Sequence, residues 1–300
     1  MNQLLEIVYR GCGKDDCLGC DKEVCIHNHA YEQLSKFLSK PPLVTSHSRL
    51  DTYRSCPYQY KLKYIDKLKT KFDYKPDNAL VLGTAMHLGI EEGVEAAIKY
   101  YFSNYNTVTQ AMVDEAIKLE YLIPKVQKAI PPDGYFEDKI DDKDFVGYID
   151  YLVEVPNETV TVGGKTYTPT SYKTYDLFDF KYSNNKSHYL QDEQLHLYKY
   201  FFEKNSRDKI RNLYYVFIPK IKADYTLENY QDKLIEDLEN DEIEIVLINY
   251  DYNYVVKFLL DTKHCIEDTT FNKGTNCFFC GFKKYCKTNG EDTSELEKKE

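Results

Sequence analysis

Two residues near the middle of the chain have the types and spacing of a hydrolytic metal site. Asp179 and Lys181 lie in the run Tyr175-Asp-Leu-Phe-Asp-Phe-Lys181, whose aromatic and apolar residues predict a β-strand. Side chains alternate across a strand, so the carboxylate and the ammonium share one face, about 7 Å apart. The carboxylate suits a hard divalent cation, and the ammonium could position a water or offset developing charge. The competing interpretation is a surface ion pair, worth about 0–1 kcal/mol.

Asp150 and His87 are two further polar residues in apolar stretches of the sequence, where burial costs free energy unless they have polar partners. Asp150 lies in the β-rich run Gly147-Tyr-Ile-Asp150-Tyr-Leu-Val, and a buried carboxylate needs a partner such as a divalent metal. His87 and Glu91 are four residues apart and share one face of a predicted helix, although a lone histidine is more often structural. We therefore count Asp150 and His87 as candidate ligands and Glu91 as an uncertain addition.

A predicted helix after the Asp179 strand carries a polar interruption. Gln194 falls on the apolar stripe formed by Leu190, Leu197 and Phe201, and Tyr198 lies one turn further on. A buried amide needs polar partners, so Gln194 and Tyr198 are candidates for holding or completing the site. Asp176 points to the opposite strand face from Asp179 and is left out.

The elements that must position these residues follow a simple order along the chain. Helices are predicted first, beginning with one capped by Ser48 and ending at Cys56, then one from Thr84 to about Tyr100 and one over 107–128. Strands are predicted next, at Tyr148–Val155, in a hairpin of Thr159–Val162 and Lys165–Thr168, and at Tyr175–Lys181, Leu213–Ile218 and Ile243–Tyr250. Two helices are predicted in the same part of the chain, Tyr189–Glu203 before Leu213–Ile218 and Tyr252–Cys265 after the last strand. This order predicts an α/β or α+β domain with a central sheet.

The composition narrows the class of protein. The chain has 300 residues, 42% of them hydrophobic, and a net charge of -10, which argues against wholesale disorder and against a basic protein that coats nucleic acid. Between Arg49 and Lys75, however, eight Lys or Arg face three Asp, a local basic surface that could also be a solvated helix face. No secretory signal and no apolar run of about 18 residues is seen, so we expect a cytoplasmic protein without a membrane span.

Seven of the nine cysteines fall into two groups. The first, Cys12-x4-Cys17-x2-Cys20-x4-Cys25, predicts a zinc knuckle, with His27 or His29 as substitute ligands and unligated thiols as the alternative. Such a knuckle could bind DNA or dock a protein partner. The second group is Cys277-x2-Cys280-x5-Cys286, interleaved with phenylalanines. Cys265 stands apart and reads as a small buried hydrophobe.

Taken together, these motifs resemble those of RecB-family nucleases in the PD-(D/E)XK superfamily. Six elements occur in the family's order, from about Leu43 to Lys287; they are Ser48-Arg-Leu-Asp-Thr-Tyr-Arg-Ser-Cys56-Pro-Tyr-Gln-Tyr60, Gly83-Thr-Ala-Met-His87-Leu-Gly-Ile-Glu91, Gly147-Tyr-Ile-Asp150, Asp179-Phe-Lys181, Gln194-Leu-His-Leu-Tyr198 and Cys277-x2-Cys280-x5-Cys286. The resemblance is to the iron–sulfur subgroup, which includes AddB-type nuclease domains and CRISPR-associated adaptation exonucleases.

The resemblance implies a fold and a set of roles. The fold is a restriction-endonuclease-like α/β core, a central mixed sheet flanked by helices. His87, Asp150, Asp179 and the Phe180 carbonyl would hold Mg²⁺ or Mn²⁺, and Lys181 would orient or activate water. Gln194 and Tyr198 would hold the site or contact the substrate.

The resemblance also assigns Cys56 as the distant fourth ligand beside Cys277, Cys280 and Cys286. Four thiolates suit zinc as well as a [4Fe–4S] cluster by count alone, and the resemblance favours the cluster. It would join the N-terminal and C-terminal parts of the chain as a structural staple.

Two classes of function remain open from the sequence. The favoured one is a metal-dependent DNA exonuclease acting on single strands or DNA ends, in recombination, repair, or CRISPR or phage DNA processing; an endonuclease is the variant within this class. The other is a nuclease-like DNA-end-binding or partner-docking subunit without activity. The predicted domains are a Cys-rich module at 1–42, the nuclease domain at 43–287 and a flexible tail at 288–300.

Overall fold

The protein is described from a computed structural model, which covers residues 45–162, 165–168, 170–275, 277 and 280–297. The helices are α1 His47–Ser55, α2 Pro57–Tyr60, a π-helical turn Lys61–Ile65, α3 Ala79–Glu92, α4 Val94–Ser103, α5 Gln110–Ala129, α6 Lys186–Tyr189, α7 Gln194–Asn205, α8 Tyr230–Asn240, α9 Tyr252–Glu267 and α10 Lys283–Lys287. The strands are β1 Tyr135–Asp141, β2 Val146–Val155, β3 Val160–Val162, β4 Lys165–Tyr167, β5 Thr174–Tyr182, β6 Lys209–Ile218 and β7 Glu244–Ile248.

The chain divides into two compact units. The described residues of unit 1 lie within 45–71, Asp141–Gly147 and 251–297, and unit 2 comprises Phe72–Ile140 and Tyr148–Tyr250. Unit 2 holds the main sheet, apart from the last residue of β1 and the first two of β2.

The main sheet has five strands in the order β1-β2-β5-β6-β7. β5 pairs antiparallel with β2, in a register that includes Tyr151 with Phe178, and parallel with β6, in a register that places Asp179 beside Tyr215. β6 pairs antiparallel with β7. The predicted mixed sheet is therefore confirmed, and the parallel pair β5–β6 places the carboxyl ends of these two strands side by side.

Helices cover both faces of this sheet. On one face, apolar side chains of β2, β5 and β6 pack with those of α3, α4, α5 and α8; the sheet contributes Tyr151, Val153, Phe178, Phe180, Val216 and Ile218. Because strand side chains alternate, Asp150, Asp179 and Lys181 point to the other face, where α7 packs on β6. The same alternation that builds the core thus directs the candidate site residues toward α7.

Several elements differ from the sequence prediction for local reasons. Ser46, not Ser48, caps α1, because its side chain accepts a hydrogen bond from the backbone N–H of Arg49 at 3.4 Å. The single helix predicted from Thr84 is two, since Gly93 adopts φ +101° and breaks it. The helix predicted from Tyr189 begins at Gln194, after the short α6. Neither β1 nor α8 is among the predicted elements. For β1 the reason is that the strand is mostly exposed and lacks an apolar run.

Unit 1 joins the two ends of the described chain. The backbone N–H of Tyr58 donates to Asn272 O at 3.2 Å, Arg54 pairs with Asp261 at 2.7 Å, and Thr70 forms an antiparallel bridge with Leu296. Leu296 lies inside the segment predicted as a flexible tail, yet it is buried against Leu62 and Phe282. The domain boundaries as a whole stay a prediction.

The predicted Cys-rich module at 1–42 lies outside the described residues, together with its four cysteines Cys12, Cys17, Cys20 and Cys25. Across the helices that are described, none combines the length and the apolar character needed to cross a lipid bilayer.

Candidate active site

Asp179 and Lys181 form a buried ion pair on the central strand β5. Lys181 Nζ lies 2.5 Å from Asp179 Oδ2, and the two side chains are 14% and 1% exposed. Neither oxygen of Asp179 accepts a hydrogen bond of good geometry within the described chain. The ion pair with Lys181 is therefore the main interaction that offsets the cost of burying this carboxylate. Burial raises the pKa of Asp179 to about 6, and the nearby Asp150 carboxylate adds to the rise while Lys181 opposes it. This pairing on one face is the arrangement predicted from the alternation.

Asp150 lies on β2, beside the point where the β2–β5 ladder ends. The last paired residues are Tyr151 and Phe178; beyond them, the backbone N–H of Phe180 donates to Asp150 Oδ2 at 2.8 Å. Burial alone would raise the pKa of Asp150, but His87, Lys181 and this N–H outweigh it, so the net pKa is lowered. Asp150 therefore stays ionised beside Asp179.

His87 reaches the same place from α3. Its Nδ1 lies 3.4 Å from Asp150 Oδ1 and its Nε2 lies 3.1 Å from the carbonyl oxygen of Phe180. Both partners accept hydrogen bonds, which suits an imidazolium that donates from both nitrogens. Burial lowers the pKa of His87, but the Asp150 and Asp179 carboxylates outweigh burial and raise it overall. Binding a metal through this imidazole would first require loss of a proton.

Gln194 and Tyr198, one turn apart on α7, connect to Lys181. Lys181 Nζ donates to Gln194 Oε1 at 2.8 Å, and Gln194 Nε2 donates to the hydroxyl of Tyr198 at 2.7 Å. That hydroxyl also accepts from the backbone N–H of Tyr148. The polar partners that Gln194 needs are thus Lys181 and Tyr198, and α7 is tied to the site through them.

Asp176 and Glu91 lie apart from this cluster. Arg211 binds Asp176 with two donors, Nε at 3.0 Å and Nη2 at 2.7 Å, a bidentate pair on the opposite strand face. Glu91 lies on the exposed part of α3. Its pKa is raised by burial, then by Glu137 and Glu92, rather than by residues of the site.

Sequence reasoning missed two aromatic residues next to Lys181. The ring centroids of Tyr189 and Tyr215 lie 5.3 and 5.6 Å from Lys181 Nζ, within the range of cation–π contact. Tyr215 pairs with Asp179 across the parallel ladder, and Tyr189 ends the short helix α6. Tyr215 could be recognised as a neighbour of Lys181 only from the register of β6 against β5.

The residues around Asp179 fit a hard divalent cation in their chemistry. The carboxylates of Asp150 and Asp179 lie near the Phe180 carbonyl. Apart from the Lys181 ion pair, the buried oxygens of Asp179 accept no hydrogen bond within the described residues, a deficit that a cation would remove. Among the described residues, however, no three His, Cys, Asp or Glu side chains form a ready-made metal-binding group. In the structure Lys181 contacts Asp179, and His87 contacts both Asp150 and the Phe180 carbonyl. Coordination would have to displace these partners.

The four cysteines of the predicted cluster share unit 1. None of Cys56, Cys277, Cys280 and Cys286 is in a disulfide. Burial raises the pKa of the Cys280 thiol, and Cys56, Cys277 and Cys286 raise it further, so each of these three lies within electrostatic reach of Cys280. Cys280 also packs against the buried Leu62 and Phe282.

Cys56 lies in a pocket of backbone donors. Its sulfur accepts hydrogen bonds from the N–H of Gln59 at 3.3 Å and of Gly274 at 3.2 Å. A Cβ on Gly274 would meet Ser55 O at 2.7 Å, so only glycine permits this approach. Cysteine binds metals as the thiolate, and a thiolate can accept such N–H hydrogen bonds. The residues present fit a thiolate-bound group, although the described residues do not hold it as a preformed metal geometry.

The basic segment before Lys75 is partly neutralised within the protein. Lys61 pairs with Asp66 at 2.6 Å, Arg54 with Asp261 at 2.7 Å, and Lys75 with Asp73 at 3.3 Å. Within the described residues, at least three of its eight cations therefore have acidic partners, which favours the interpretation of this segment as a solvated face.

A mixed sheet flanked by helices, with two aspartates and a lysine beside its parallel strand pair, defines a restriction-endonuclease-like α/β core. The family model of the PD-(D/E)XK nuclease superfamily matches residues 44–287, and the chain belongs to that superfamily. A search of curated proteins finds no match. One solved structure with a similar chain, provisionally described as an exonuclease from Eubacterium rectale, has 10% sequence identity and a TM-score of 0.41, covering 88% of this chain and 93% of its own.

Proposed function

We propose that the protein is a metal-dependent deoxyribonuclease that hydrolyses phosphodiester bonds from the ends of DNA, with single strands as the preferred substrate. The observation that carries this proposal is the meeting of Asp150, Asp179 and Lys181 on one sheet face, with His87 closing the cluster. Membership of a nuclease superfamily supports the reaction class. The end preference and the strand preference rest on the sequence resemblance.

Each residue has a role that follows from its position. Asp150, Asp179, the Phe180 carbonyl and neutral His87 would hold Mg²⁺ or Mn²⁺, which polarises the scissile phosphate and lowers the pKa of water when bound. Lys181 would orient the attacking water or stabilise charge on the phosphate. Gln194 keeps the ammonium at the strand end through its 2.8 Å contact.

The direct test is digestion of end-labelled single-stranded DNA by anaerobically purified protein with Mg²⁺ or Mn²⁺. We expect metal-dependent cleavage that Asp179→Ala abolishes while its circular dichroism spectrum stays unchanged. Asp176→Asn, on the opposite face of the same strand, is the matched control and should still cleave. A closed circular substrate separates the two nuclease types, because an exonuclease leaves it intact.

Absence of cleavage by folded, metal-supplied protein would overturn the proposal. Retained binding of DNA ends in that case would point instead to an inactive end-binding subunit. Equal cleavage by Asp179→Ala and the unsubstituted protein would show that the activity comes from a contaminant or from another site.

We further propose that Cys56, Cys277, Cys280 and Cys286 hold a structural [4Fe–4S] cluster, as in the iron–sulfur subgroup of RecB-like nucleases. The proximity of Cys56, Cys277 and Cys286 to Cys280, which raises the pKa of Cys280, and the N–H donors on Cys56 support it. Iron and acid-labile sulfide analysis of anaerobic protein should give about four of each per chain. Cys277→Ser should lose them, and zinc in their place would refute the cluster.

For the N-terminal cysteines we propose one zinc ion bound by Cys12, Cys17, Cys20 and Cys25, in a module that contacts DNA or a protein partner. Four thiolates at this spacing suit tetrahedral zinc. Elemental analysis should show one zinc that is lost in Cys17→Ser but kept in Cys277→Ser. The two variants therefore assign each metal to its own cysteine group.

A further inference from the structure

Lys181 has more neighbours than its two polar partners. Its ammonium carries three N–H donors and meets Asp179 and Gln194, yet its side chain is only 14% exposed. The rings of Tyr189 and Tyr215 lie next to each other on one side of it, with centroids 5.3 and 5.6 Å from Nζ. A partly desolvated cation is stabilised by the negative face of an aromatic ring.

The two rings come from different elements and also touch each other. Their centroids are 6.1 Å apart, and both contact Phe217, at 6.1 Å from Tyr189 and 5.7 Å from Tyr215. Tyr215 is buried on β6 and Phe217 lies two residues further on the same strand face. Tyr189 rests on this aromatic surface from α6.

Helix α6 is otherwise exposed, which singles out Tyr189. Lys186, Ser187 and His188 face solvent, and Lys186 pairs with Glu244 and lies 5.9 Å from the Phe217 ring. His188 makes an edge contact with Tyr189 at 5.2 Å. Tyr189 is therefore the residue of α6 that reaches Lys181.

The ring of Tyr215, and not its hydroxyl, is the part of this residue that lies near Lys181. The hydroxyl is buried and has no hydrogen-bond partner within the described chain, which is a cost that phenylalanine would avoid. Its position next to Asp179 in the ladder puts the ring, rather than the hydroxyl, against the ammonium.

We propose that Tyr189 and Tyr215 are positioning residues that form an aromatic clamp against one side of the Lys181 ammonium, beside Asp179. The lysine stem is flexible, and its polar contacts alone would leave it free to rotate about its single bonds. The rings restrict that rotation, so Lys181 stays aimed at the position of the reacting phosphate. This role rests on the proposed nuclease function and extends it to two residues outside the sequence motifs.

The test compares an aromatic with an aliphatic replacement at each ring. Tyr189→Leu should lower kcat about tenfold, equivalent to about 1.4 kcal/mol, with KM nearly unchanged, and Tyr189→Phe should recover most of the loss. Tyr215→Leu and Tyr215→Phe should follow the same order. Tyr135→Leu, a change at an exposed tyrosine of β1, controls for the loss of a ring as such.

A second readout does not depend on activity. Lysine reductive methylation, followed by mass spectrometry of metal-free protein, reports how accessible the Lys181 amine is, with the exposed Lys222 as internal reference. Methylation of Lys181 should rise several-fold in Tyr189→Leu and stay near the unsubstituted level in Tyr189→Phe. If the unsubstituted protein fails to cleave DNA, the nuclease proposal falls while methylation still tests the clamp.

Two results would overturn the clamp. One is a Tyr189→Leu variant with the kcat of Tyr189→Phe. The other is unchanged Lys181 methylation in Tyr189→Leu. Since Tyr215 is buried and its leucine variant could lose stability, the decision rests on Tyr189, whose helix is exposed.

Discussion

Gln194 accepts a hydrogen bond from Lys181 and, through the other end of the same amide, donates one to Tyr198. This fixes the orientation of the amide, because a flipped amide would place its NH2 group against the ammonium. The contact between Gln194 and Lys181 therefore depends on a hydroxyl that never touches the lysine. Three side chains from two elements act as one unit.

Replacement of the amide should reveal this unit. Gln194→Met keeps the length of the side chain but loses both hydrogen bonds, and we expect kcat to fall about tenfold to a hundredfold, since each bond is worth about 1 kcal/mol and the lysine loses its alignment. Tyr198→Phe, which frees the amide to flip, should cost less. Steady-state kinetics on labelled DNA measure both.

The double variant gives the sharper result. If the residues act as one unit, Gln194→Met with Tyr198→Phe should be no slower than Gln194→Met alone, a coupling of about 0.5–3 kcal/mol. Strictly additive losses would mean that Tyr198 serves the site independently, for instance by contacting substrate.

Addition of metal should stabilise the fold only when Asp179 is present. A ligand that binds the native state at a hundred times its dissociation constant stabilises by about 2.7 kcal/mol, so Mn²⁺ should raise the melting temperature measurably. Asp179→Ala should show no such rise. Asp176→Asn should melt lower without metal, because Arg211 loses its partner, yet keep the Mn²⁺-induced rise. A rise in Asp179→Ala would place the cation elsewhere.

Two glycines of α3 should respond oppositely to the same change. Gly83 has nothing within 4 Å of a Cβ position, so Gly83→Ala should stabilise the helix by about 0.5–1 kcal/mol. At Gly89 a Cβ would lie 2.2 Å from Ile123 Cδ1 and 2.8 Å from Ala97 Cβ, so Gly89→Ala should destabilise by about 1–3 kcal/mol. Urea unfolding provides both free energies, and a destabilised Gly83→Ala would contradict the open space.

Asp268 should make the free energy of unfolding of unit 1 decrease at low pH. The backbone N–H groups of Phe271 and Thr270, then the Tyr53 hydroxyl and the Thr270 hydroxyl, lower its pKa to about 2. The folded value lies below the unfolded one of about 3.9, so its stabilisation is present above pH about 4 and is lost as the pH falls through about 2. Asp268→Asn should therefore unfold more readily at neutral pH, and the difference should disappear in strong acid. A difference that is constant with pH would rule out the carboxylate as its origin.

The sequence was sufficient where a local rule decided the outcome. Alternation along one strand placed Asp179 and Lys181 together and Asp176 on the other face, and the isolated amide of Gln194 predicted polar partners. Such rules act within one element and need no knowledge of the partner element. The superfamily could be recognised because its motifs are short runs of this kind.

It was insufficient where the neighbour came from a distant element. Tyr215 lies beside Asp179 only because of the parallel register of β6 against β5, and register is set by packing of the whole sheet. The contacts of His87 with Asp150 and the Phe180 carbonyl likewise depend on how α3 meets the strand ends. β1 escaped prediction because its residues are mostly solvated and carry no alternating apolar pattern.

The antiparallel pairing of β2 with β5 places the small β3–β4 hairpin at the end of the strands opposite to the chemistry. Val155 pairs with Thr174, and the hairpin lies in the connection between them, whereas Asp179 is five residues further along β5, about 16 Å away. This connection is thus a permissive position for engineering: a fluorophore, an affinity tag or a tether to a surface could be inserted there while the nuclease machinery stays intact.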